Sequence, residues 1–595
     1  MFTTRPEILG TFGVVSSTHW VASAAGMAML EAGGNAFDAA VATGMTLQIC
    51  EPHLNGAGGD MPVLIHRADR NESLVVCGQG VAPAKATIGH YRGLGLDMVP
   101  GTGLLATVVP GTFDAWMLIL RDHGTMTLEE VFAPAIHYAT SGAPMVARVG
   151  ETIATVREMF ETEWPTSAAV YLPGGKIPAA GSLLGNAQLA KTWQRLVAES
   201  KAAGGDRMEQ IEAARTAWAQ GFVAEAVDRF CRQNEVMDVS GEPHFGVLTG
   251  DDMAGWRASY EQPLGYDYGD YTVLKTGPWG QGPVLLQMLA LLEGYGISAM
   301  DPLGPDFVHL VIEAAKLAFA DREAFYGDPN FVEVPMKTLL SKAYNDARHK
   351  LIDMRAASMD LRPGTIEGHG GAVDYAAHIA AGLAGLGGAG VGEPTVGPQG
   401  HVAGDTCHVD VIDKHGNMIA AMPSGGWLQS SPVIPELGFC LNSRAQMFWL
   451  EEERPATLEP GKRPRTTLSP SMALKDGKPY MAFGTPGGDQ QDQWQTNFFL
   501  RHVHFGMNLQ EAIDAPNWHI DHFPSSFYPR AATPGKAVLE GRFAQSTIDG
   551  LRRRGHKVTV GDDWSEGRLC AAAQSGGILK AGANPRGMQG YAVGR

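Results

Sequence analysis

Basic charge is scarce in this sequence. Its 46 lysine and arginine residues are outnumbered by 63 aspartate and glutamate residues, so the formal net charge is -17 at pH 7. Proteins that bind nucleic acid present basic surfaces to the phosphate backbone. The composition therefore argues against a nucleic-acid partner, and we predict none.

Cysteine is also rare, and long apolar runs are missing. The cysteines are Cys50, Cys77, Cys231, Cys407, Cys440 and Cys570. They form no C-x-x-C pair, and no His/Cys/Asp cluster has metal-ligand spacing, so we predict reduced thiols, no metal and no cofactor. No run reaches the roughly 18–20 apolar residues of a membrane helix, and residues 1–15 lack the features of a signal peptide. We therefore predict a cytoplasmic protein without a membrane partner.

Glycine, by contrast, is abundant. The chain of 595 residues contains 75 glycines, nearly double the usual share of about 7%. Hydrophobic residues make up 44% of the chain, which is ample for a globular core, and the length allows up to about four domains. Residues from about 355 to 405 are rich in glycine and alanine with little periodicity, and this predicts a flexible linker.

Two glycine-rich segments look like nucleotide-binding loops but lack the necessary context. Residues 51–60 precede an apolar strand, whereas a P-loop follows a strand and opens a helix. Residues 385–390 match Gly-x-Gly-x-x-Gly, but a helix-like run precedes them and Pro394 follows too soon for a helix. We therefore predict close backbone packing for the first segment and linker for the second.

Residues 406–424 predict a β-hairpin with two hydroxyl groups at its open end. Apolar residues on both sides of a turn at Gly416 indicate two short strands. If Gly416 takes the left-handed conformation of a three-residue loop, Thr406 lies opposite Ser424. Opposed residues share one face of a sheet, with Cβ atoms about 5 Å apart. A slip of one residue would separate the hydroxyls, and the alternative interpretation is an ordinary hairpin.

A glycine pair far downstream is a second candidate for chemistry. Gly487 and Gly488 follow an apolar strand in the segment Gly-Thr-Pro-Gly-Gly-Asp. Consecutive N–H groups at such a turn form a concavity that binds anions. This arrangement suits the oxyanion of an acyl-transfer intermediate.

These features belong to a longer series of motifs, which occur in a fixed order along the chain. They are AGGNAFDAA (32–40), EPH (51–53), APA (82–84), PGT (110–112), EAAK (313–316), ADR (320–322), TCH (406–408), KRP (462–464) and PGG (486–488). In this series the sequence resembles the γ-glutamyltransferase family of N-terminal nucleophile hydrolases over nearly its whole length. The resemblance implies an α+β fold, the four-layer αββα sandwich.

The resemblance also implies a precursor that cuts itself between Asp405 and Thr406. The fragments would be a large subunit, 1–405, and a small subunit, 406–595, which associate; a homo-oligomer is possible. The freed α-amine, with a reference pKa of about 7.7–8.0, would serve as general base for the Thr406 hydroxyl. Gly487 and Gly488 would bind the oxyanion. Ser424 occupies the place of the family's second threonine, which orients the nucleophile.

Substrate recognition departs from the family pattern at several positions. The arginine that holds the α-carboxylate of a γ-glutamyl group is replaced by Gln79. The acid that holds the α-ammonium group is replaced by Met447, and an asparagine past the second hydroxyl is Gly426. Without a charge-assisted hydrogen bond of this kind, binding of a γ-glutamyl group weakens by about 1.5–3 kcal/mol at each charged end. A substrate other than an ordinary γ-glutamyl peptide is therefore expected.

Two arginines that the γ-glutamyl pattern does not require suggest a different carboxylate site. We hypothesise that Arg444 or Arg465 binds a substrate carboxylate, together with Thr466 and Thr467 at the place of the family's serine pair. A small carboxylate-bearing amide would fit, as in the oxamate amidohydrolase branch that the sequence resembles. Three alternatives remain: arginines that lie at a surface or interface, a true γ-glutamyltransferase or glutathione hydrolase, and a non-catalytic binding protein on the same scaffold.

Overall fold

The computed structural model describes residues 2–383 and 406–595. The Gly-x-Gly-x-x-Gly match and Asp405 lie outside these ranges. Among the described residues, the strands are β1 (Ile8–Gly10), β2 (Gly13–Ser17), β3 (Met61–Arg67), β4 (Glu72–Gly78), β5 (Ala143–Pro144), β6 (Leu183–Leu184), β7 (Val236–Met237), β8 (Pro243–His244), β9 (Ser259–Glu261), β10 (Leu264–Tyr268), β11 (Tyr271–Lys275), β12 (Val409–Asp413), β13 (Met418–Ala421), β14 (Ser471–Lys475), β15 (Lys478–Gly484), β16 (Trp518–Ile520), β17 (Lys536–Leu539), β18 (Lys557–Val560), β19 (Cys570–Ser575), β20 (Ile578–Ala583) and β21 (Tyr591–Gly594).

The helices differ widely in length. They are α1 (Trp20–Glu31), α2 (Ala36–Cys50), α3 (Ile88–Gly93), α4 (Thr112–His123), α5 (Leu128–Ser141), α6 (Ala147–Thr162), α7 (Pro165–Tyr171), α8 (Ala187–Ala202), α9 (Arg207–Ala219), α10 (Phe222–Gln233), α11 (Gly250–Gly255), α12 (Pro283–Leu292), α13 (Pro305–Phe325), α14 (Met336–Leu339), α15 (Lys342–His349), α16 (Tyr375–Leu383), α17 (Gln491–Phe505), α18 (Leu509–Asp514) and α19 (Gln545–Arg553). Short 3-10 helices span Pro173–Gly175, Ile297–Ala299, Arg444–Met447 and Gly488–Gln490. Within the described ranges, no helix combines the length and apolar character needed to cross a membrane.

Two seven-stranded antiparallel sheets form the centre of the molecule. The first sheet has the order β1-β20-β19-β15-β14-β11-β10, and the second has the order β21-β2-β12-β13-β3-β4-β9. The hairpin β12–β13 lies in the middle of the second sheet, between β2 and β3. Strands β15 and β19 take the corresponding place in the first sheet. Because neighbouring strands run antiparallel, the end of one strand lies beside the start of the next, and residues that are distant in the sequence meet at one edge of each sheet.

The order of the layers follows from the apolar faces of the two large sheets. Ile412 and Ala420 of the second sheet and Ala482 and Ala572 of the first belong to one buried core between the sheets. The outer face of the second sheet packs against α1, α2 and α4, and α5 to α10 belong to the same apolar cluster. The outer face of the first sheet packs against α12, α17 and α18, and α13 and α19 belong to the same apolar cluster. This arrangement confirms the predicted four-layer αββα sandwich, since both sheets are covered on both faces.

The first half of the predicted linker is held in place by α13. Ser358 donates its N–H to Glu313, and its carbonyl accepts from Lys316 Nζ at 2.8 Å. Gly364 N donates to Asp321 Oδ1 at 2.7 Å, and helix α16 follows. Ser358 and Gly364, within the segment whose composition predicts a linker, are therefore bonded to side chains of α13, a tertiary effect that local composition does not reveal.

Candidate active site

The hairpin ends bring Thr406 and Ser424 together, as the register predicts. Val409 pairs with Ala421 and Ile412 with Met418, and Gly416 has a φ of +86° at the turn. Continuing the same ladder, Thr406 forms a bridge with Ser424. Their hydroxyl oxygens lie 3.2 Å apart, and both residues are fully buried. The predicted pairing is confirmed, and the two hydroxyls are within hydrogen-bond distance.

The glycine-rich turn of residues 51–60 supports this edge by close packing. Ser424 N donates to Asp60 O at 3.0 Å, and Asp60 N donates to Ser424 O at 2.8 Å. A Cβ at Gly59 would lie 2.0 Å from Ser424 O, so only glycine permits the approach. The prediction of close backbone packing for this turn is therefore correct.

Arg444 extends the pair of hydroxyls into a buried polar chain. Its Nη2 donates to Ser424 Oγ at 2.5 Å, and its Nε donates to Asp60 Oδ1 at 2.8 Å. The guanidinium lies 5.1 Å from the centre of the Trp427 ring. Burial raises the pKa of Asp60, and the attraction of Arg444 opposes this rise. Arg444 is only 1% exposed, so it lies inside the site and not at the surface.

Glu51 lies behind the candidate nucleophile, and sequence reasoning missed its role. Its Oε2 accepts from Thr18 Oγ1 at 2.5 Å and from Cys407 Sγ at 3.0 Å, and its Oε1 accepts from Gln589 Nε2. Asn55 Nδ2 donates to Cys407 Sγ at 3.0 Å. Burial raises the pKa of Glu51 to about 7. The EPH motif was the available signal in the sequence, because it places an acid at the end of a helix. If that acid is buried, it needs hydrogen-bond donors from other elements.

His408 connects the hairpin to the first sheet. Its Nε2 and Asp410 Oδ1 are 2.8 Å apart, and burial raises the pKa of Asp410 to about 6. A Cβ at Gly484 would lie 2.4 Å from His408 Cε1, so the end of β15 packs against this ring. The residues after β15 include Gly487 and Gly488, which therefore lie at the same edge of the sandwich as the hairpin ends.

The glycine pair adopts a turn that few other residues permit. Gly487 has a φ of +132° and Gly488 a φ of +51°. Gln490 N donates to Gly487 O at 2.9 Å, and a Cβ at Gly487 would lie 2.3 Å from Trp494 Cζ3. Two positive φ values in succession form the type of turn that can direct backbone N–H groups at an anion.

Arg465 is buried but lies in an ion-pair network. Its Nη2 lies 2.9 Å from Glu323 Oε1 and donates to Ser526 Oγ at 3.2 Å. Burial lowers the pKa of Arg465, and Glu323 opposes this change. Like Arg444, it is not a surface residue, since only 2% of it is exposed. Both arginines are thus paired with a carboxylate, Arg444 with Asp60 and Arg465 with Glu323.

The other predicted substrate contacts are all buried. Thr466 exchanges backbone hydrogen bonds with the loop at Trp279 and Gln281, and Thr467 Oγ1 has no hydrogen-bond partner among the described residues. Gln79 donates its side-chain amide to the carbonyl of Gly80 at 3.1 Å. Met447 is buried at the end of the 3-10 helix that begins with Arg444.

Within the described ranges, one group of side chains has the geometry of a metal-binding cluster. His309, Glu313 and His556 place ligand atoms within 4.8 Å of one another. However, His309 Nδ1 and His556 Nε2 are already 2.8 Å apart in a hydrogen bond. Glu313 Oε1 accepts from Lys316 Nζ at 2.6 Å. A lysine ammonium thus takes the place a cation would need, so the donor set does not favour a metal.

Comparison with known proteins decides the family. The sequence pattern described as gamma-glutamyltranspeptidase matches residues 22–594. The chain belongs to this family. It is 31% identical to the glutathione hydrolase-like YwrD proenzyme of Bacillus subtilis (strain 168), over 99% of both chains. It is 29% identical to the oxamate amidohydrolase proenzyme of Klebsiella pneumoniae, over 97% of this chain and 98% of that one.

Solved structures agree with the family assignment. The structure of LmbA2991HD is 57% identical, covers 100% of both chains and superposes with a TM-score of 0.92. Since the gamma-glutamyltranspeptidase family comprises N-terminal nucleophile hydrolases made as proenzymes, the chain is a self-processing hydrolase or acylase of this type. The crystal structure of cephalosporin acylase from Bacillus halodurans, which is 26% identical over 100% of this chain and 98% of that one, superposes with a TM-score of 0.82 and therefore shares this fold.

Proposed function

We propose that Thr406 is the nucleophile of this hydrolase and that the substrate is a small amide with a carboxylate beside the scissile carbonyl, such as oxamate. The observation that supports this proposal is the buried chain from Thr406 Oγ1 through Ser424 Oγ to the Arg444 guanidinium. It joins a candidate nucleophile to a candidate carboxylate receptor through two hydrogen bonds, of 3.2 Å and 2.5 Å. The remaining steps follow from ordinary acyl-transfer chemistry.

Thr406 has the surroundings that an N-terminal nucleophile needs. A cut before Thr406 frees an α-amine whose reference pKa of about 7.7–8.0 suits a general base at neutral pH. The amine takes the proton of the Thr406 hydroxyl while Oγ1 attacks the amide carbon. The N–H groups of Gly487 and Gly488 receive the oxyanion, the amine nitrogen of the substrate leaves with a proton, and water or an amine resolves the acyl-threonine.

Arg444 is the better of the two hypothesised carboxylate receptors because it contacts Ser424. In other respects the two are alike, since each is paired with a carboxylate and each has a buried nitrogen without a partner among the described residues. Asp60 and Ser424 occupy Nε and Nη2, whereas Nη1 is buried without a hydrogen-bond partner in the described part of the chain. A buried guanidinium N–H without an acceptor is costly, and a carboxylate supplies a strong one. Because Arg444 contacts Ser424, a carboxylate held there lies close to the carbonyl that Thr406 attacks. A short acyl group meets that requirement.

A glutathione hydrolase or γ-glutamyltransferase remains the second candidate. The observation that favours it is the buried Thr467 hydroxyl without a partner among the described residues, at the place of the family's serine pair. Against it, Gln79 and Met447 lack the charges that hold the two ends of a γ-glutamyl group. A non-catalytic protein is the third interpretation, less consistent with the complete set of hydroxyls and glycines.

The first experiment tests self-processing. Purified protein is run on a denaturing gel, and the fragments are sequenced from their N-termini. We expect two fragments, 1–405 and 406–595, with the second beginning at Thr406, and a single uncut chain for Thr406→Ala. An uncut wild-type chain, or a cut elsewhere, would contradict the proposed nucleophile.

The second experiment tests the substrate. Ammonia release from oxamate is compared with release of product from a chromogenic γ-glutamyl anilide. We expect oxamate to be hydrolysed and the anilide to be poor. Arg444→Gln should raise KM for oxamate at least tenfold, since removing a charge-assisted hydrogen bond costs about 1.5–3 kcal/mol. The matched control is Arg465→Gln, a buried arginine paired with Glu323. Normal KM in both variants would contradict a carboxylate site at either arginine.

A further inference from the structure

The glycine pair of the proposed oxyanion site is costly to order. Glycine reaches positive and negative φ almost equally well, so it loses more backbone entropy on ordering than any other residue. Gly487 and Gly488 stand in succession, at φ +132° and +51°. Two backbone bonds lie within the loop, from Gln490 N to Gly487 O and from Gln491 N to Gly488 O. The carbonyl of the second glycine accepts a further hydrogen bond from outside the loop.

Gln281 contacts that second glycine directly. Its Nε2 donates to Gly488 O at 3.1 Å, and its backbone N donates to Thr466 O at 2.9 Å. The residue is fully buried, in the loop of residues 277–283 that follows β11. One residue thus ties the glycine loop to the Thr466–Thr467 segment, so the two predicted halves of the substrate site share an anchor.

Arg322 fixes which way the Gln281 amide faces. Its Nη1 donates to Gln281 Oε1 at 2.8 Å, and an amide oxygen held by a guanidinium leaves the NH2 group toward Gly488 O. The same guanidinium pairs with Asp489, whose Oδ2 accepts from Ser526 N at 2.8 Å. Two consecutive residues of the loop are therefore anchored through one arginine, which is itself fully buried.

From these contacts we infer that Gln281, oriented by Arg322, is a positioning residue that holds the Gly487–Gly488 N–H groups in their oxyanion-binding arrangement. The inference rests on the proposed function, because it assumes that these N–H groups receive the oxyanion. Neither side chain needs to touch substrate. Their effect is on the transition state. If an N–H donor is displaced from the position of the oxyanion, the transition state loses stabilisation, whereas binding of the substrate changes little.

The test exploits the asymmetry of the amide. Gln281→Glu keeps the size of the side chain and an acceptor for Arg322, but it replaces the donor to Gly488 O by an acceptor that repels that carbonyl. We expect kcat to fall about 10–100-fold with KM changed less than twofold. The affinity for a boronic acid analogue that forms a tetrahedral adduct with Thr406 should fall in parallel with kcat. A merely structural role would not link those two quantities.

Two further variants keep the test decisive. Gln281→Met removes the donor without adding charge and should lower kcat in the same way. The matched control is Gln429→Glu, because Gln429 is also buried and its Nε2 donates to a backbone carbonyl, that of His53, at the same 3.1 Å. Its kcat should remain within twofold of wild type.

The outcomes separate this inference from the proposed function. Suppose that the wild-type protein is cut and active, and that Gln281→Glu and Gln281→Met have unchanged kcat. This result would overturn the role of Gln281 and leave the proposed function intact. Unfolding of both variants, or equal losses in Gln429→Glu, would also overturn it in favour of a structural role. A wild-type chain that neither cuts nor hydrolyses would overturn both proposals together.

Discussion

The candidate site has two sides that are built in different ways. On the hairpin side, Thr406 and Ser424 are side-chain groups placed by neighbouring strands of one sheet. On the glycine side, the candidate groups are backbone N–H donors of Gly487 and Gly488, placed by side chains from a remote loop and from α13. The first side needs only a correct register. The second needs several long-range contacts at once.

This difference predicts where each side is vulnerable. The hairpin side has redundant backbone support, because Cys407 N donates to Pro423 O at 3.0 Å and Ser424 exchanges two hydrogen bonds with Asp60. A change of one hydroxyl there leaves the backbone in place. The glycine side depends on side chains from other elements, such as Gln281 and Arg322, and its donors cannot be separated from the backbone conformation. A small substitution on the glycine side should therefore lower kcat more than the removal of a hydroxyl group on the hairpin side.

Gly487→Ala should show the largest effect. The added methyl would lie 2.3 Å from Trp494 Cζ3, at a φ of +132° that residues with a Cβ rarely adopt. The loop must move, and loss of one oxyanion donor costs about 10²–10³ in kcat. Steady-state kinetics on the processed enzyme measure this loss.

The control for that variant is Gly477→Ala. Gly477 also has a positive φ, +72°, but a Cβ there meets nothing within 4 Å. It lies in the turn between β14 and β15, the hairpin that leads to the glycine loop. We expect a modest loss of stability and a normal kcat. A comparable loss of kcat in both variants would mean that backbone strain, not displacement of the donors, lowers activity.

Glu51→Gln tests whether the stability of the hairpin side depends on the ionisation of Glu51, which lies behind Thr406. The pKa of Glu51 is about 7 in the folded protein, against an ordinary value of 4.5, chiefly because of burial. Folding therefore favours the protonated acid. The stability this gives is fully present below pH 4.5 and is lost as the pH rises through about 7, by about 3 kcal/mol in total.

The measurement is the free energy of unfolding at pH 5 and pH 8 for wild type and variant. Thr18, Cys407 and Gln589 contact the carboxylate, and Arg148 is the cation that acts on it. In Glu51→Gln the part of the pH dependence due to this acid should disappear, since an amide does not titrate. An unchanged slope between pH 5 and pH 8 would show that Glu51 is ionised throughout this range.

The sequence was sufficient for the hairpin side because the information is local. Alternation, a turn glycine and a count of residues predict that Thr406 faces Ser424. The motif series extends this to the family, and the family implies the layers. The identity of the glycine pair could also be predicted, since Gly-Gly turns carry their chemistry in the backbone. The assignments of role to these residues stay predictions until the variants are measured.

The supporting contacts could not be predicted, because they join elements far apart in the chain. Nothing near Gln281 in the sequence indicates that it meets Gly488, and nothing near Glu51 indicates Cys407. Arg444 and Arg465 look equivalent in the sequence, but the fold places Asp60 and Ser424 beside one and Glu323 beside the other. Both guanidinium groups are paired with a carboxylate, but Arg444 is the one that contacts Ser424, and the sequence alone leaves that placement open.

The smallest expected effect is that of Ser424→Ala on the hairpin side. The backbone bonds to Asp60 remain, so Thr406 keeps its place, but its hydroxyl partner at 3.2 Å is removed and Arg444 Nη2 loses its acceptor. We expect kcat to fall roughly tenfold, equivalent to about 1.4 kcal/mol. Ser424→Thr should restore most of the rate because it returns the hydroxyl. If Ser424→Ala instead lost as much activity as Gly487→Ala, the hairpin side would be no more tolerant than the glycine side, and the contrast between them would fail.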